Sequence, residues 1–337
     1  MRFPCISLLM IVFLSQARAE PQPGMSGWQG YLQSGERLEQ QGLYRQAKEQ
    51  FGLALDAIGS SRRGSEPEFR AEIHLAVVTA QLGEYTEAER WGNQAIRTGT
   101  ALHGAEDVAL AVPLLNLAIV YRDQNNYTRA EQTSRRILEL LAAHGSDQPA
   151  ALAATLGILG TVIARRGELQ KAEELLREGI RSADKLHGPD RSVLAENLSS
   201  LASLCRNTGR QREAESLLGR AYAVYEQVYG MEHPELVPIL RALATLQADS
   251  GNYSEALRED ERAVQLAEKA WGPNHPQIRD ALLEEASWLR KLHRKHEARA
   301  LEARAQKIQE ANAQNSLARY TVDARDVAAL RSGNRHP

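Results

Sequence analysis

Apolar residues along this chain recur three or four positions apart, in paired stretches separated by short polar breaks. In one pair, Val112, Leu115 and Ile119 form the first stretch, while Ala130 and Ile137 belong to the second. This spacing places the side chains of each stretch on one face of an α-helix. The strict alternation of apolar and polar residues that marks a half-buried strand is missing from the sequence. The pattern therefore predicts an all-α protein built from paired helices.

The paired stretches repeat along the chain, and their most regular marker is an alanine in the second helix of each pair. The first step between these alanines is 41 residues and the next five are 42 residues each. The series consists of Ala47, Ala88, Ala130, Ala172, Ala214, Ala256 and Ala298. A second series of small residues lies twelve positions earlier, at Gly35, Ala76, Ala118, Gly160, Ala202, Ala244 and Ala286. Small side chains at fixed positions let helix backbones approach closely, and a period of this length indicates stacked two-helix units.

A short break separates the two helices of each unit, and glycine is its most frequent residue. The break is marked by Gly42, Gly83, Asn125, Gly167, Gly209, Gly251 and His293. Asn125 suits this position because Asn tolerates the left-handed backbone conformation in which helices end. A tyrosine follows two positions later in four units, at Tyr44, Tyr85, Tyr127 and Tyr253.

The small residue of the first helix, the Gly-x-Tyr break and the alanine of the second helix together resemble the tetratricopeptide repeat. The longer period of this chain is similar to the variant found in kinesin light chains and many bacterial proteins, which carries a Gly-x-x-His-Pro linker between units. That linker is present at Gly230–Pro234 and Gly272–Pro276, and it is degenerate earlier in the chain. The resemblance covers about residues 27–313. It implies a right-handed superhelical solenoid of about seven stacked helix-turn-helix repeats.

The N-terminus has the pattern of a secretory signal peptide over residues 1–19. Arg2 supplies a positive charge, Ile6–Leu14 forms a short apolar run, and Ala17–Ala19 is a small-x-small cleavage pattern. The alternative is an uncleaved membrane anchor, but the run is much shorter than the ~20 residues that span a bilayer. We therefore expect cleavage after Ala19 and export of the protein, which would be periplasmic or secreted.

The charge balance of the chain and its cysteine content limit which partners and which covalent links we expect. The chain is nearly neutral, with 41 Lys and Arg residues against 43 Asp and Glu residues, which argues against a nucleic-acid footprint. After cleavage only Cys205 remains, and its place in the repeat predicts a small buried apolar residue. Residues 20–26 are a predicted linker and residues 314–337 a predicted C-terminal tail, in which Val322–Leu330 has the pattern of one short helix.

The sequence offers little catalytic or metal-binding chemistry. His103, His144 and His187 recur once per unit, but equivalent positions in stacked helices lie on the order of 10 Å apart. Zinc needs its ligands at about 2 Å from one centre, so this row is predicted to pack or cap helices. His233 and His275 precede proline and are predicted to form turns. Neither an H-E-x-x-H nor a P-loop motif is present, and we expect no catalytic residue, metal or cofactor.

Acidic side chains on the helices are predicted to lie on solvated faces, the pairs Glu173-Glu174 and Glu284-Glu285 among them. In the last unit, Glu285 takes the place of a leucine that Leu201 and Leu243 supply in the two units before it. A solenoid needs polar ends to stay soluble, so the last unit is predicted to be a polar cap.

The resemblance implies that the first helix of each unit lines an inner groove, where peptides or helices of partner proteins bind. Candidate groove residues are Asn116, Arg122, Arg165, Arg206, Asn207, Arg241 and Arg290. Guanidinium groups bind carboxylates through two parallel hydrogen bonds, which favours an acidic or C-terminal peptide as ligand. The alternative is an ordinary solvated face, on which the arginines pair with Asp123 and Asp249.

Taken together, the sequence predicts an exported, non-enzymatic scaffold or adaptor that recognises partner proteins or peptides through the concave groove of the solenoid. The alternative is a structural or oligomerising component of a cell-envelope complex, without a discrete peptide ligand. We expect no nucleic-acid partner and no stable membrane insertion after cleavage.

Overall fold

Two-helix units follow one another along the described part of the chain. The computed structural model describes residues 27–59, 63–144 and 148–312, and within these ranges the chain forms fourteen α-helices and no strand. The helices are α1 (Trp28–Gln40), α2 (Tyr44–Ile58), α3 (Glu66–Gln81), α4 (Tyr85–His103), α5 (Ala111–Asp123), α6 (Tyr127–Ala143), α7 (Pro149–Arg165), α8 (Leu169–Ala183), α9 (Ser192–Asn207), α10 (Gln211–Tyr229), α11 (Val237–Asp249), α12 (Tyr253–Trp271), α13 (Pro276–Lys291) and α14 (residues 295–312). The predicted signal peptide, the linker at residues 20–26 and the predicted tail lie outside the described residues.

Each odd-numbered helix packs against the even-numbered helix that follows it, which makes seven pairs and confirms the predicted all-α solenoid. The seven marker alanines are all 0% exposed. A Cβ atom added to Gly160 of α7 would lie 2.7 Å from Cγ of Leu176 on α8, well inside the ~3.5–4 Å at which carbon atoms pack. The small residues therefore set the close separation of the two helices in each unit.

The turn inside each unit has one backbone conformation throughout the array. The φ angle of the break residue is positive in every unit: 71° at Gly42, 74° at Gly83, 59° at Asn125, 88° at Gly167, 79° at Gly209, 84° at Gly251 and 61° at His293. Glycine adopts this conformation without a steric penalty, and Asn does so more readily than most residues. The left-handed turn predicted at Asn125 is confirmed.

The odd-numbered helices form the inner layer of the curved stack. Consecutive odd-numbered helices contact one another from α1 to α11, whereas contacts of this extent do not join consecutive even-numbered helices in the described ranges. In a curved stack, helices on the concave side lie closer together than those on the convex side. Burial agrees, because every residue of α3 from Ala71 to Gln81 is buried, while α8 buries only a narrow stripe.

The stack curls back on itself, so that the sixth unit meets the first. Helix α12 contacts α2, and Tyr44 Oη donates a hydrogen bond of 3.2 Å to Glu235 Oε1, just before α11. The solenoid therefore completes one superhelical turn within its described length.

The last unit differs from the predicted polar cap. Glu285 is 3% exposed, so its carboxyl group lies in the core rather than in solvent, and the prediction of a solvated side chain there was wrong. The leucine position that it occupies faces the preceding unit. Burial, together with the nearby charges of Asp260 and Glu261, raises the pKa of Glu285 to about 8.

Across the described ranges, none of the helices is both long enough and apolar enough to cross a bilayer.

Candidate functional site

The inner layer divides into two regions that differ in accessibility. Positions one, four and five residues after the small residue of the odd-numbered helices point to the inside of the curve. In the first three units several of these side chains are buried; we call this region the closed inner face, represented by Glu39, Val77, Gln81, Ile119 and Arg122. In the later units most of the equivalent side chains are accessible, although Ala248 is buried. We call this region the open inner face, represented by Thr161, Arg165, Ser203, Arg206, Asn207, Thr245 and Asp249.

Two predicted groove residues lie on or beside the closed inner face. Asn116 is 2% exposed, and neither atom of its side-chain amide has a hydrogen-bond partner among the described residues. Arg122 is 8% exposed, and its Nε donates to Asp123 Oδ1 over 2.8 Å. Burial raises the pKa of Asp123 although Arg122 lowers it. A ligand reaches neither Asn116 nor Arg122 in this conformation.

Three other predicted residues lie together on the open inner face, on the neighbouring helices α7 and α9. Arg165 lies with its guanidinium carbon 5.8 Å from the centre of the Tyr127 ring. Arg206 forms a long ion pair of 3.7 Å with Asp249, and its side chain is 21% exposed. Asn207, next in the chain, is exposed. The structure thus brings Arg165, Arg206 and Asn207 to one accessible surface.

A small cleft adjoins this surface at Arg206, between α9, α10 and α11. It is lined by Ser199, Ala202, Ser203, Arg206, Leu218, Pro238 and Ala242. Ser199 is 5% exposed, and its Oγ has no hydrogen-bond partner in the described structure. Other helical hydroxyls here, such as Thr161 and Thr245, donate to the carbonyl four residues earlier. A buried hydroxyl without a partner costs about 1–3 kcal/mol, so the cleft offers one unused donor beside a cation.

The remaining two predicted residues already hold carboxylates of this chain. Arg241 binds Asp260 over 3.1 Å and Glu284 over 2.5 Å. Arg290 donates three hydrogen bonds to Glu302, at 2.7, 2.8 and 2.9 Å. Both guanidinium groups therefore act as links between helices, and they do not join the surface formed by α7 and α9.

Sequence reasoning missed a buried charged cluster in the first two units. His74 on α3 lies between two carboxylates of α1, with Nδ1 2.7 Å from Glu39 Oε2 and Nε2 3.4 Å from Glu36 Oε1. Its ring stacks on Phe51 with the centroids 4.7 Å apart. Burial lowers the pKa of His74, but the charges and hydrogen bonds of Glu39 and Glu36 outweigh it and raise that pKa to about 9. The sequence signal was a histidine that directly precedes the apolar stretch Leu75–Val78 of α3.

The cysteine and the helix-end histidines considered from the sequence are either buried or in contact with neighbouring groups of the fold. Cys205 is fully buried, as predicted, and burial raises the pKa of its thiol to about 11. His103 lies 3.1 Å from Glu66, and His144 lies 3.0 Å from the carbonyl oxygen of Leu140. Among the residues that the structure describes, no three His, Cys, Asp or Glu side chains are arranged to hold a metal ion.

Comparison with known proteins places these features in a family. A profile of the MalT-like TPR region matches residues 63–268, and a tetratricopeptide-repeat profile matches residues 235–311. No curated protein matches the chain in a direct sequence comparison.

Solved structures share the fold at low sequence identity. The structure of BtubC (BKLC) from P. vanneervenii matches with 16% identity and a TM-score of 0.50, over 72% of this chain and 91% of that one. A Rap protein complexed with Competence and Sporulation Factor matches with 13% identity and a TM-score of 0.57, over 85% and 98%. The APC/C hetero-tetramer Cut9–Hcn1 matches with 14% identity and a TM-score of 0.58, over 88% and 49%. Because the first profile spans more than half of the sequence and the described helices repeat in its register, the protein belongs to the tetratricopeptide-repeat family, with a MalT-like repeat region.

Proposed function

We propose that this protein is a non-enzymatic binding scaffold that holds an acidic or C-terminal segment of a partner protein on its open inner face. The observation that carries the proposal is the juxtaposition of Arg206 with the cleft that contains the unused hydroxyl of Ser199. Arg165 and Asn207 extend the same surface along α7 and α9.

The chemistry of this surface suits a carboxylate. An arginine fork binds a carboxylate through two parallel hydrogen bonds, and the 3.7 Å pair with exposed Asp249 is too long to occupy Arg206 fully. A carboxylate at the mouth of the cleft would accept from Arg206. The cleft has a volume of about 20 Å³, room for little more than one water molecule, so the buried Ser199 Oγ would reach the carboxylate through such a water.

Solved proteins of the same fold are consistent with a binding role. The Rap structure contains Competence and Sporulation Factor, and the Cut9 structure is a complex with Hcn1. These ligands belong to those proteins, and their fold is what they share with this chain. By analogy with these structures, we propose that this chain also binds a segment of a partner protein.

We also propose that the scaffold acts outside the cytoplasm, on the strength of the signal-peptide pattern at residues 1–19. Fractionation of the native cell, followed by N-terminal sequencing of the purified protein, tests this part. A mature chain that begins at Glu20 in the exported fraction supports it, whereas an intact Met1 in the cytoplasm contradicts it.

The binding proposal is tested by recovery of partners with a charge-removing pair of substitutions. Arg165→Ala with Arg206→Ala should abolish recovery of partners from the native compartment, because it removes both accessible cations of the open inner face. The matched control is Arg181→Ala with Arg212→Ala, which removes the same charge from exposed positions of α8 and α10 on the outer layer. Equal recovery by the two double variants would exclude the open inner face as the binding surface.

A further inference from the structure

The first Gly-x-x-His-Pro linker docks on the turn of the first unit, five units earlier in the chain. His233 Nε2 lies 3.1 Å from the carbonyl oxygen of Gln40. A Cβ atom added to Gly42 would overlap the ring of Pro234, so a side chain at this turn would push the linker away. Glu235 accepts hydrogen bonds from Tyr44 Oη at 3.2 Å and from Gln81 Nε2 at 2.8 Å.

The second such linker meets the second turn of the solenoid in the same register. A Cβ atom added to Gly83 would lie 3.2 Å from His275 Nε2. Arg45 Nη2 donates a hydrogen bond of 2.9 Å to the carbonyl oxygen of Trp271, one residue before this linker begins. Both histidine–proline linkers therefore contact the superhelical turn that precedes them.

His233 combines a helix cap with a cross-turn hydrogen bond, whereas His275 caps its helix and its Nε2 lies near Gly83 without a hydrogen-bond partner in the described structure. His233 Nδ1 accepts from the backbone N–H of Glu235 at 3.2 Å, and His275 Nδ1 accepts from that of Gln277 at 3.3 Å. Asp107 caps the earlier linker in the same way, through the N–H of Ala109 at 2.8 Å. Aspartate has no second group that could donate a hydrogen bond, whereas the imidazole Nε2 of His233 reaches the carbonyl oxygen of Gln40. The tautomer with hydrogen on Nε2 satisfies both contacts of His233.

The distribution of the motif follows the same logic. Among the described linkers, those before the sixth and seventh units contact an earlier superhelical turn, and these two carry His-Pro. The described linker before the fifth unit reads Gly188-Pro189-Asp190 and does not contain the pair. A requirement for turn formation alone would not distinguish the two groups of linkers.

We propose that the two histidine–proline linkers are a clasp that locks successive turns of the superhelix together and keeps the inner face of the first three units closed. The clasp consists of His233, Pro234, Glu235 and His275 on one side, and of Gln40, Gly42, Tyr44, Arg45, Gln81 and Gly83 on the other. Release of the clasp would open the superhelix and give ligands access to Asn116 and Arg122. The clasp is independent of the binding role proposed for the open inner face.

The test uses the full mature chain and the double variant His233→Asn with His275→Asn. Asn keeps a side-chain acceptor for the helix cap, but it is too short to extend across the turn. We expect amide hydrogen exchange in residues 41–45 and 230–236 to become about tenfold faster. The loss of even one such cross-turn hydrogen bond lowers the free energy of local opening enough to change the exchange rate by about this factor. The radius of gyration from small-angle X-ray scattering should rise.

Two controls make the result decisive. Asp107→Asn changes a cap of the same kind in a linker without a cross-turn contact, and the turn at Gly209 is an internal reference for exchange. Arg45→Ala, at an exposed position, tests the second contact alone if the double variant does not fold; it should speed exchange in residues 271–276. Unchanged exchange and radius of gyration, or equal changes in Asp107→Asn and at Gly209, would overturn the proposal.

Discussion

The closed and open inner faces occupy the same positions of the same repeat, yet they differ in burial and in charge pairing. Arg122 and Arg206 are equivalent residues two units apart. Arg122 is 8% exposed and lies 2.8 Å from Asp123, whereas the Arg206 side chain is 21% exposed and lies 3.7 Å from Asp249. The repeat determines that an arginine points inward at both places. Burial in the folded superhelix, which the repeat does not specify, decides where that arginine is accessible to a partner.

Charged groups show the same difference between the closed and the open inner face. On the closed side, burial raises the pKa of Glu235 to about 7, although the hydrogen bonds from Tyr44 and Gln81 lower it. Tyr44 and Gln81 belong to the first two units, five and four units earlier in the chain. On the open side the accessible cations Arg165 and Arg206 dominate. The difference indicates that the closed face serves the architecture and the open face is available for recognition.

The largest expected effect is the removal of the buried cation on the closed side. His74→Ala leaves Glu39 buried without its partner, and we expect the free energy of unfolding to fall by about 3–5 kcal/mol. Ser200→Ala, at the equivalent repeat position on the open side, should cost about 1 kcal/mol or less. Urea unfolding of both variants measures the difference. Similar losses would mean that the two faces do not differ energetically.

The second effect is a pH dependence that comes from the clasp. Burial lowers the pKa of His233 to about 4 from an ordinary 6.5. Because the unfolded chain then binds the proton first, His233 contributes stability above pH 6.5 that is lost as the pH falls toward 4, about 3 kcal/mol in all. The raised pKa of Glu235 acts in the opposite direction, so the wild type must be compared with His233→Asn. The stability advantage of the wild type should shrink between pH 6.5 and 4; an advantage independent of pH would count against a neutral buried His233.

A third comparison uses the two equivalent arginines directly. Arg122→Ala leaves Asp123 buried beside no cation and should lower the free energy of unfolding by about 2 kcal/mol. Arg206→Ala should change it by no more than about 0.5 kcal/mol, as is usual for accessible pairs. Chemical denaturation gives both values. If Arg206→Ala were the more costly substitution, the assignment of the closed and open faces would be reversed.

The smallest effect concerns a buried carboxyl group in the last unit, whose raised pKa of about 8 leaves it mostly uncharged at neutral pH. Glu285 has an Oε1 atom without a hydrogen-bond partner in the described structure, and Leu occupies the equivalent position at Leu201 and Leu243. Glu285→Leu should stabilise the last unit by about 1–2 kcal/mol. Thermal unfolding at neutral pH checks this, with Glu215→Leu at an exposed position of α10 as control. A loss of stability in Glu285→Leu would show that the buried carboxyl group has a partner that holds the last unit together.

Much of the fold could be predicted because repeat geometry is local. The buried alanines, the small residues between helices and the left-handed turns all follow from spacing within about forty residues. The groove residues were harder to predict. Arg290 has the same repeat position as Arg206, and Arg241 lies on the next odd-numbered helix, α11. Both are already paired, because Asp260 and Glu284 bind Arg241 and Glu302 binds Arg290.

The sequence by itself determined that this protein is a stack of helix pairs with its first helices turned inward, because backbone preferences and the periodicity of small and apolar residues act over short distances. Only the tertiary structure decided which stretch of that inner layer is accessible. Closure brings Gln40 and Tyr44 against His233 and Glu235, more than 190 residues away. Small rotations between successive units add up to that closure, and no single repeat records their sum.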